Sequence, residues 1–231
     1  MNMYGLGILD DPALTEKLPQ AFLETLSMVA WSGAATVVLG IPLGLALHTV
    51  SPVGLRPQPR LYRPASALVN VAISLPFVLL VTLALPLIRL AVGSASGWQA
   101  TVIPLTVATF PFLARLVEIS LRSVPRGTVE AGLLAGASPG QIALGIQLRE
   151  SRSRLVADVT VAAISLISYS ALVGVVGGGG LGYLAISYGY NRFQTEVMIV
   201  TLLVIIAFVQ VVQILGTRFA ARLDPAHGSG R

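Results

Sequence analysis

A polar stretch, VEAGLLAGASPGQIALGIQLRESRSR at residues 129–154, lies between two long apolar segments of this 231-residue chain. Apolar segments of that length cross bilayers, so the stretch between them is predicted to lie at a membrane face. Within it Gly136 supplies a helix stop, because glycine tolerates the left-handed conformation in which many helices end. The SPGQ run at residues 138–141 restarts the chain as a capping box with proline in the first helical position. We therefore predict two short helices joined at a fixed bend, the elbow, at residues 128–148.

The first helix of the elbow is predicted to begin at Thr128, whose hydroxyl can cap it. Glu130 would then lie in the first turn, where the helix dipole stabilises a negative charge. An elbow of this kind is rigid enough to transmit a push from a bound partner. An amphipathic connector that rests on the membrane uses the same residue types, and this alternative stays open on the residues alone.

Composition places the chain in a membrane. Its mean hydropathy is +0.82, 55% of its residues are hydrophobic and 11% are charged, values that exclude a soluble globular domain. The net charge of +5 is better explained by arginines that anchor membrane helices at the cytoplasmic face than by a nucleic-acid partner. The acidic N-terminus, residues 1–17, lacks the positive start of a secretory signal, so no cleaved signal peptide is expected.

Five stretches have the length and apolarity of transmembrane helices. They lie near residues 22–47, 65–90, 100–119, 155–176 and 196–216. We predict one all-helical membrane domain over residues 1–231, with the elbow between the third and fourth spans. If the first loop is cytoplasmic, every basic residue except Lys17, Arg89 and Arg192 lies inside. The positive-inside rule thus predicts an external N-terminus, a cytoplasmic C-terminus and a cytoplasmic elbow.

Small residues and prolines mark the interior of the spans. Gly40 and Gly44 have the spacing that lets two membrane helices pack closely. Prolines inside the apolar runs predict kinked helices. These prolines are Pro42, Pro76, Pro86, Pro104 and Pro111.

Ionisable residues lie near the ends of the spans. Asp158 is predicted to pair with Arg154, four residues earlier on the same helix, and Glu118 with Arg115. We find no carboxylate at mid-depth, where one would indicate ion coupling.

The fourth span is the most polar one. By helical spacing one of its faces carries Ser165, Ser168, Tyr169 and Leu172. This face could line a solute path. Serines in membrane helices more commonly bond their own backbone or a neighbouring helix, which is the simpler explanation.

A glycine run connects the fourth and fifth spans. It comprises Gly177, Gly178, Gly179 and Gly180, and it is followed by Tyr188 and Tyr190. Four consecutive glycines cannot hold a helix, so a turn or gate is predicted here. The tyrosines fit an interfacial aromatic belt. A docking surface for a solute-loaded binding protein is the functional alternative.

Catalytic patterns do not occur in the sequence. The only lysine, Lys17, is not part of a P-loop, so any ATP hydrolysis would need another subunit. The only histidines, His48 and His227, belong to no metal or nucleophile pattern, and cysteine is absent. We predict no catalytic residue, no metal site and no cofactor on this chain.

The order Glu-Ala-Gly, three residues, Gly, nine residues, Ile-x-Leu in the elbow resembles the EAA loop of bacterial ABC-importer permeases. The resemblance implies that the elbow docks into a separate ATPase. The residues assigned to this coupling are Glu130, Ala131, Gly132, Gly136, Ala137, Ser138, Pro139, Ile146 and Leu148. Two positions depart from the family pattern, Gly132 in place of alanine and Arg149 in place of proline. The glycine should soften the first helix by roughly 1 kcal/mol, and the missing proline should let the elbow run more smoothly into the next span.

A narrower resemblance, to the permease subunits of methionine importers, runs from about Leu61 to Tyr190. It is carried by ISYSA at residues 167–171, by PFLAR at 111–115, by IPLTV at 103–107 and by YGY at 188–190. Ile73 departs from this pattern, where a basic residue is expected. The resemblance implies a homodimer in the bacterial inner membrane, two ATPase subunits that hold ATP and Mg, and an extracytoplasmic solute-binding protein. The implied substrate is an amino acid, methionine first, in the L form with the D form as a second candidate.

Two other functions stay open from the sequence. One is an importer of another small solute, such as a different amino acid or an osmolyte. The other is a membrane scaffold or insertase that conducts nothing; it would need no ATPase partner and would leave the elbow motif unexplained.

Overall fold

The computed structural model describes residues 13–92 and 97–224, and in these residues it contains helices and no strand. The α-helices are α1 (Leu18–Val50), α2 (Pro59–Ser74), α3 (Phe77–Val92), α4 (Trp98–Arg122), α5 (Arg126–Leu134), α6 (Pro139–Gln141), α7 (Leu148–Glu150), α8 (Arg152–Val175), α9 (Gly180–Leu184) and α10 (Thr195–Leu223). Three π-helical segments, Ala13–Lys17, Ile142–Gln147 and Ala185–Tyr190, continue neighbouring α-helices. The predicted all-helical class is confirmed.

Four helical stretches are long and apolar enough to cross a membrane. They are Leu14–Val50, Trp98–Arg122, Arg152–Tyr190 and Thr195–Leu223. Each contains one of the predicted spans and extends beyond it at both ends. A fifth span is reached only if α2 and α3 are counted together across a short break.

The second predicted span, residues 65–90, is therefore not one continuous helix. α2 ends at Ser74, Leu75 is extended with φ −72° and ψ 125°, and α3 begins at Phe77. A proline crowds the backbone of the residue before it and disfavours the helical conformation there, so Pro76 ends α2. By contrast, Pro42 lies within α1 without ending that helix.

Packing divides the chain into two compact units. The first comprises the residues up to Ala34, Pro76–Thr106 and Ala163–Val211; the second comprises Ala35–Leu75, Val107–Ala162 and the residues from Val212. In the first unit the buried core consists of Leu14, Ala21, Leu181, Leu184 and Val197. Its aromatic pair, Phe22 and Phe208, packs edge to face with ring centroids 5.4 Å apart.

The core of the second unit lies where α1 meets α4. It consists of Leu113, Val117, Leu121, Leu155 and Ala162. A Cβ placed on Gly44 would lie 2.6 Å from the carbonyl oxygen of Ala114, and one on Gly40 would lie 3.1 Å from Leu113. Only glycine allows the two helices to approach this closely, so the packing role predicted for this glycine pair is confirmed.

A buried carboxylate joins α2 to α4 in the second unit. Glu118 is 1% exposed and accepts hydrogen bonds from the Tyr62 hydroxyl at 2.9 Å and from Arg122 at 2.9 Å. It also pairs with Arg115, as predicted, and Arg115 donates to Ser66 Oγ at 2.9 Å. A buried charge is tolerated only when it is paired and hydrogen-bonded, and Glu118 meets both conditions.

The close ion pair predicted between Asp158 and Arg154 is not formed in the described residues, although Arg154 interacts with the carboxylate at longer range. Asp158 instead accepts a hydrogen bond from Ser120 of α4 at 2.6 Å, and the ion pairs in residues 13–92 and 97–224 do not include it. The spacing along α8 suggested Arg154 as the partner of Asp158. The Ser120 hydroxyl of the neighbouring helix α4 lies closer to the carboxylate and donates the hydrogen bond.

The last helix, α10, is the most apolar and the least covered. The mean hydropathy of its best window is 2.8, yet only 11% of that window is buried. Apolar side chains this exposed fit lipid or another protein subunit rather than water.

Candidate functional site

The first half of the elbow ends in a glycine stop, as predicted. Gly136 has φ +79°, a conformation that costs L-residues energy. Its N–H donates to the carbonyl of Leu133 at 3.0 Å, and the N–H of Ala137 donates to the carbonyl of Gly132 at 3.1 Å. These two bonds form a Schellman motif, which closes α5 and turns the chain.

The second half begins with the predicted capping box. The Ser138 hydroxyl accepts from the N–H of Gln141 at 3.4 Å, and the Gln141 side chain accepts from the N–H of Ser138 at 2.8 Å. Pro139 occupies the first helical position, where its missing N–H costs nothing. The bend between α5 and α6 is therefore defined on both sides by hydrogen bonds.

Gly132 brings the two halves of the elbow together. It is buried, and a Cβ on it would lie 2.5 Å from Ile146 Cδ1 and 3.5 Å from Ile142 Cγ1. The sequence interpretation considered only the cost of glycine to the helix. The structure shows in addition that glycine lets the π-helical segment approach α5, while Leu148 packs against the core of the second unit.

The start of the elbow differs from the prediction. α5 begins at Arg126, directly after Pro125, and no side chain caps it. Thr128 is therefore inside the helix and cannot cap it, and Glu130 lies beyond the first turn. Proline has a fixed φ and no N–H, so it begins a helix readily, and here it does so ahead of the threonine.

One side of the elbow is exposed and unexpectedly apolar. Glu130 and Ala131 are exposed, and beside them Leu134 is 89% exposed and Leu133 51% exposed. Leu144, in the second half, is 61% exposed. The sequence analysis missed these leucines, because the same stretch also contains apolar residues that are buried or half-buried, such as Ile142 and Ile146, and no local signal separates the two sets. Exposed leucines around a carboxylate are suited to binding another protein.

A buried polar contact anchors the elbow to the end of α1. The Nε2 atoms of His48 and Gln147 lie 3.0 Å apart, and both residues are buried. Beyond Gln147 the chain turns once at Ser151, whose N–H still donates to the Gln147 carbonyl at 3.0 Å. The helical bonding thus continues past Arg149 toward α8, as expected from the absence of proline there.

The predicted polar face of α8 makes a backbone hydrogen bond and an aromatic stacking contact. The Ser168 hydroxyl donates to the carbonyl of Ile164 at 3.2 Å, and Ser165 is half-buried. Tyr169 stacks on Phe77 with ring centroids 4.6 Å apart. Leu172 is 42% exposed. Ser168 and Leu172 are the residues of this face that stay exposed.

The glycine run is a turn that leads directly into a helix. Gly177, Gly179 and Gly180 all have positive φ, and Gly178 is buried. Gly180 begins α9, although four glycines were predicted to exclude helix. The start of α9 is stabilised from outside the run by two side chains of α1.

These two side chains are Glu24 and Thr25, both missed by the sequence analysis. Glu24 Oε2 accepts from the N–H of Gly180 at 2.8 Å, and Thr25 Oγ1 accepts from the N–H of Leu181 at 2.9 Å. They satisfy amides that have no partner within α9. A separation of 156 residues between donor and acceptor leaves no local pattern to find.

Tyr188 lies between two cations. Lys17 Nζ is 4.3 Å and Arg192 Cζ is 4.2 Å from its ring centroid, and Lys17 also hydrogen-bonds the hydroxyl. Tyr190 is 66% exposed and Phe193, with a φ of 58°, is 89% exposed. An exposed aromatic residue in a strained backbone conformation is typical of a contact surface.

Groups that could hold a metal ion do not occur in the part of the chain that the structure describes. His48 bonds Gln147, and His227 lies outside the described residues. The candidate site therefore has three parts. They are an elbow with exposed apolar side chains, a set of apolar helices, and a glycine turn that is hydrogen-bonded to Glu24 and Thr25.

Residues 25–226 match the family described as "Binding-protein-dependent transport system inner membrane component". The chain belongs to this family.

Its relatives within the family include the probable D-methionine transport system permease protein MetI of Vibrio cholerae. The two are 42% identical over 210 residues, which is 91% of this chain and 93% of the relative. The D-methionine transport system permease protein MetI of Escherichia coli K12 is 40% identical over 151 residues, 65% of this chain and 70% of the relative.

Solved structures agree with the family assignment. The MetNI methionine ABC transporter, in an inward-facing conformation, matches with a TM-score of 0.89 and 37% identity over 92% of this chain and 98% of that chain. An amino acid ABC transporter with histidines matches with a TM-score of 0.78 at 17% identity, over 96% of this chain and 100% of that chain, and shows the fold alone.

Proposed function

We propose that this chain is the membrane-spanning permease subunit of an ATP-driven methionine importer of the bacterial inner membrane. The observation that carries the proposal is the match to the methionine transporter structure over 92% of the chain. The relatives named for D-methionine transport support methionine as the substrate, and their names specify its D form. As a permease the chain supplies shape and motion, and it uses no covalent chemistry.

The proposed assembly has four membrane-associated chains. Two copies of the permease form a homodimer, and each elbow docks on one ATPase subunit. ATP and Mg belong to the ATPases, since this chain has no P-loop. An extracytoplasmic binding protein delivers the solute. ATP-driven closure of the ATPases switches the solute path between its inward-open and outward-open states.

Coupling is assigned to the elbow. Its bend is held by the Schellman motif at Gly136 and the capping box at Ser138, so a displacement of one half moves the other. Glu130, Leu134 and Leu144 form the exposed side that an ATPase groove would cover. Burying leucines of this size contributes roughly 1.5–3 kcal/mol each to association.

The experiment for this assignment replaces Glu130 by alanine. We expect Glu130→Ala to abolish ATP-coupled uptake while the permease remains in the membrane at wild-type level, because the exposed carboxylate is lost and the elbow fold is kept. Glu150→Ala, an exposed carboxylate beyond the elbow, is the matched control and should transport normally. Unchanged uptake by Glu130→Ala would remove the coupling role.

The arginine distribution supports an external N-terminus and a cytoplasmic C-terminus and elbow. Because cysteine is absent, single cysteines introduced at Glu130 and Tyr190 can be labelled without background. We expect an impermeant maleimide added to intact cells to label the cysteine at 190 and to spare the one at 130. The reverse pattern would invert the proposed topology.

The solute path and the external gate are proposed on two further sets of residues. The α8 face offers Ser165, Ser168, Tyr169 and Leu172 to the path, with Ser168 and Leu172 exposed. The glycine turn at Gly177, Gly178, Gly179 and Gly180, with Tyr188 and Tyr190, is assigned to gating and to contact with the binding protein. The exposure of Tyr190 and the two cations around Tyr188 support a contact surface over a lipid-facing aromatic belt.

A further inference from the structure

A cavity of about 360 Å³ lies in the first unit, beside the glycine turn. Its lining includes Lys17, Tyr188, Gln20, Glu24 and the backbone of Gly179. Ala21, Tyr183 and Leu184 add apolar surface. The cavity thus presents one cation, one anion and an apolar wall.

The carboxylate of Glu24 is held in a defined position. Oε2 accepts from the N–H of Gly180 at 2.8 Å, and Oε1 accepts from Gln20 Nε2 at 3.1 Å. Gly179 has a φ of +80°, which favours glycine, and a Cβ on it would lie 2.7 Å from Oε2. A carboxylate has about four acceptor positions, and these two bonds leave capacity for another donor.

The ammonium group of Lys17 is also held in place. It bonds the Tyr188 hydroxyl and lies over the ring, 4.3 Å from its centroid. Neither contact neutralises the charge. The ion pairs of residues 13–92 and 97–224 do not join Lys17 to Glu24, so both charges remain available to a ligand.

We propose that this cavity binds a free α-amino acid as the zwitterion. Glu24 accepts from the α-ammonium group, Lys17 donates to the α-carboxylate, and the apolar wall contacts the side chain of the solute. Each is a charge-assisted hydrogen bond, and together they select a molecule that carries both charges on one carbon. The inference rests on the proposed function for the choice of methionine as the amino acid, and it places an amino-acid site outside the α8 face.

The test is photolabelling of the assembled permease–ATPase complex with a diazirine analogue of methionine that retains both α-groups. We expect label on peptides that contain residues 13–24 and 177–190, with protection by L-methionine. N-acetylmethionine and methionine methyl ester each lack one charge and should not protect. Lys17→Gln and Glu24→Gln should each weaken protection about tenfold, the loss of one charge-assisted bond.

The choice of glutamine at position 24 and one control variant separate the site from its surroundings. Glu24→Gln keeps an oxygen that can accept from Gly180, so the glycine turn is retained while the charge is removed. Glu16→Gln removes an exposed carboxylate that does not line the cavity and should leave labelling unchanged. Unprotected label, or protected label confined to α8, would overturn the inference.

Uptake of methionine measured in the same preparation tests the proposed function separately from the cavity site. Wild-type uptake of methionine without protected label at this cavity contradicts the site and leaves the proposed function standing. Protected label without uptake supports the site and contradicts the import of methionine.

Discussion

The glycine stop at Gly136 makes a quantitative test of the elbow possible. An alanine in the left-handed conformation costs about 1–2 kcal/mol relative to glycine. An ideal Cβ at this position has no atom within 4 Å, so no clash adds to that cost. We therefore expect Gly136→Ala to destabilise the end of α5 by the backbone term alone.

The two amides that close the Schellman motif report this loss directly. The N–H groups of residue 136 and Ala137 donate at 3.0 Å and 3.1 Å, and hydrogen exchange in the purified complex measures how often these bonds open. A destabilisation of 1–2 kcal/mol predicts exchange faster by roughly 5- to 30-fold in Gly136→Ala.

Gly140 offers the matched control. It also has no atom within 4 Å of an ideal Cβ, but its φ is not positive and it lies inside α6. Alanine is the better helix former by up to about 1 kcal/mol, so Gly140→Ala should slow exchange or leave it unchanged. Equal exchange in Gly136→Ala and the wild type, or the same shift in both variants, would refute the role given to the left-handed glycine.

Two substitutions test the packing that supports the elbow. Glu118→Ala removes the buried carboxylate that accepts from Tyr62, Arg115 and Arg122, and it leaves these donors without their acceptor. The loss should cost about 1–3 kcal/mol, seen as a lower melting temperature of the purified protein, whereas the exposed Glu150→Ala should change stability by less than about 0.5 kcal/mol. Gly44→Ala forces a methyl group against the carbonyl of Ala114 and should cost about 1–3 kcal/mol. Gly33→Ala, on the same helix, meets one side-chain atom at 3.7 Å and should be neutral or stabilising. A similar melting temperature for both members of either pair would contradict the packing described for α1 and α4.

Local signals allowed much of the elbow to be predicted. The capping box at Ser138 and the stop at Gly136 depend on residues within five positions of each other, and the structure has both. The start of α5 was placed wrongly because Thr128 and Pro125 both begin helices readily, and the structure starts the helix after the proline. The break at Pro76 was recognised as a kink, and the extended conformation of the preceding residue made it a complete helix end.

Contacts between distant residues could not be predicted from the sequence. Asp158 is hydrogen-bonded to Ser120, Gln147 to His48, and Glu24 to Gly180, and the partners in each pair are far apart in the sequence. The periodicity of polar residues shows which face of a helix is polar. It does not show which residue of another helix that face contacts. The exposed leucines of the elbow were missed for a related reason, since apolar residues in a helix are ordinarily assigned to the core.

The central claim, ATP-driven methionine import through this permease, is tested most directly by uptake of radiolabelled L-methionine into proteoliposomes. These contain the permease, its ATPase and the binding protein, and unlabelled amino acids serve as competitors. We expect uptake that depends on ATP and is blocked by methionine and its close analogues but not by unrelated amino acids. Absence of methionine uptake, with ATPase activity stimulated by a binding protein loaded with another solute, would contradict the claim.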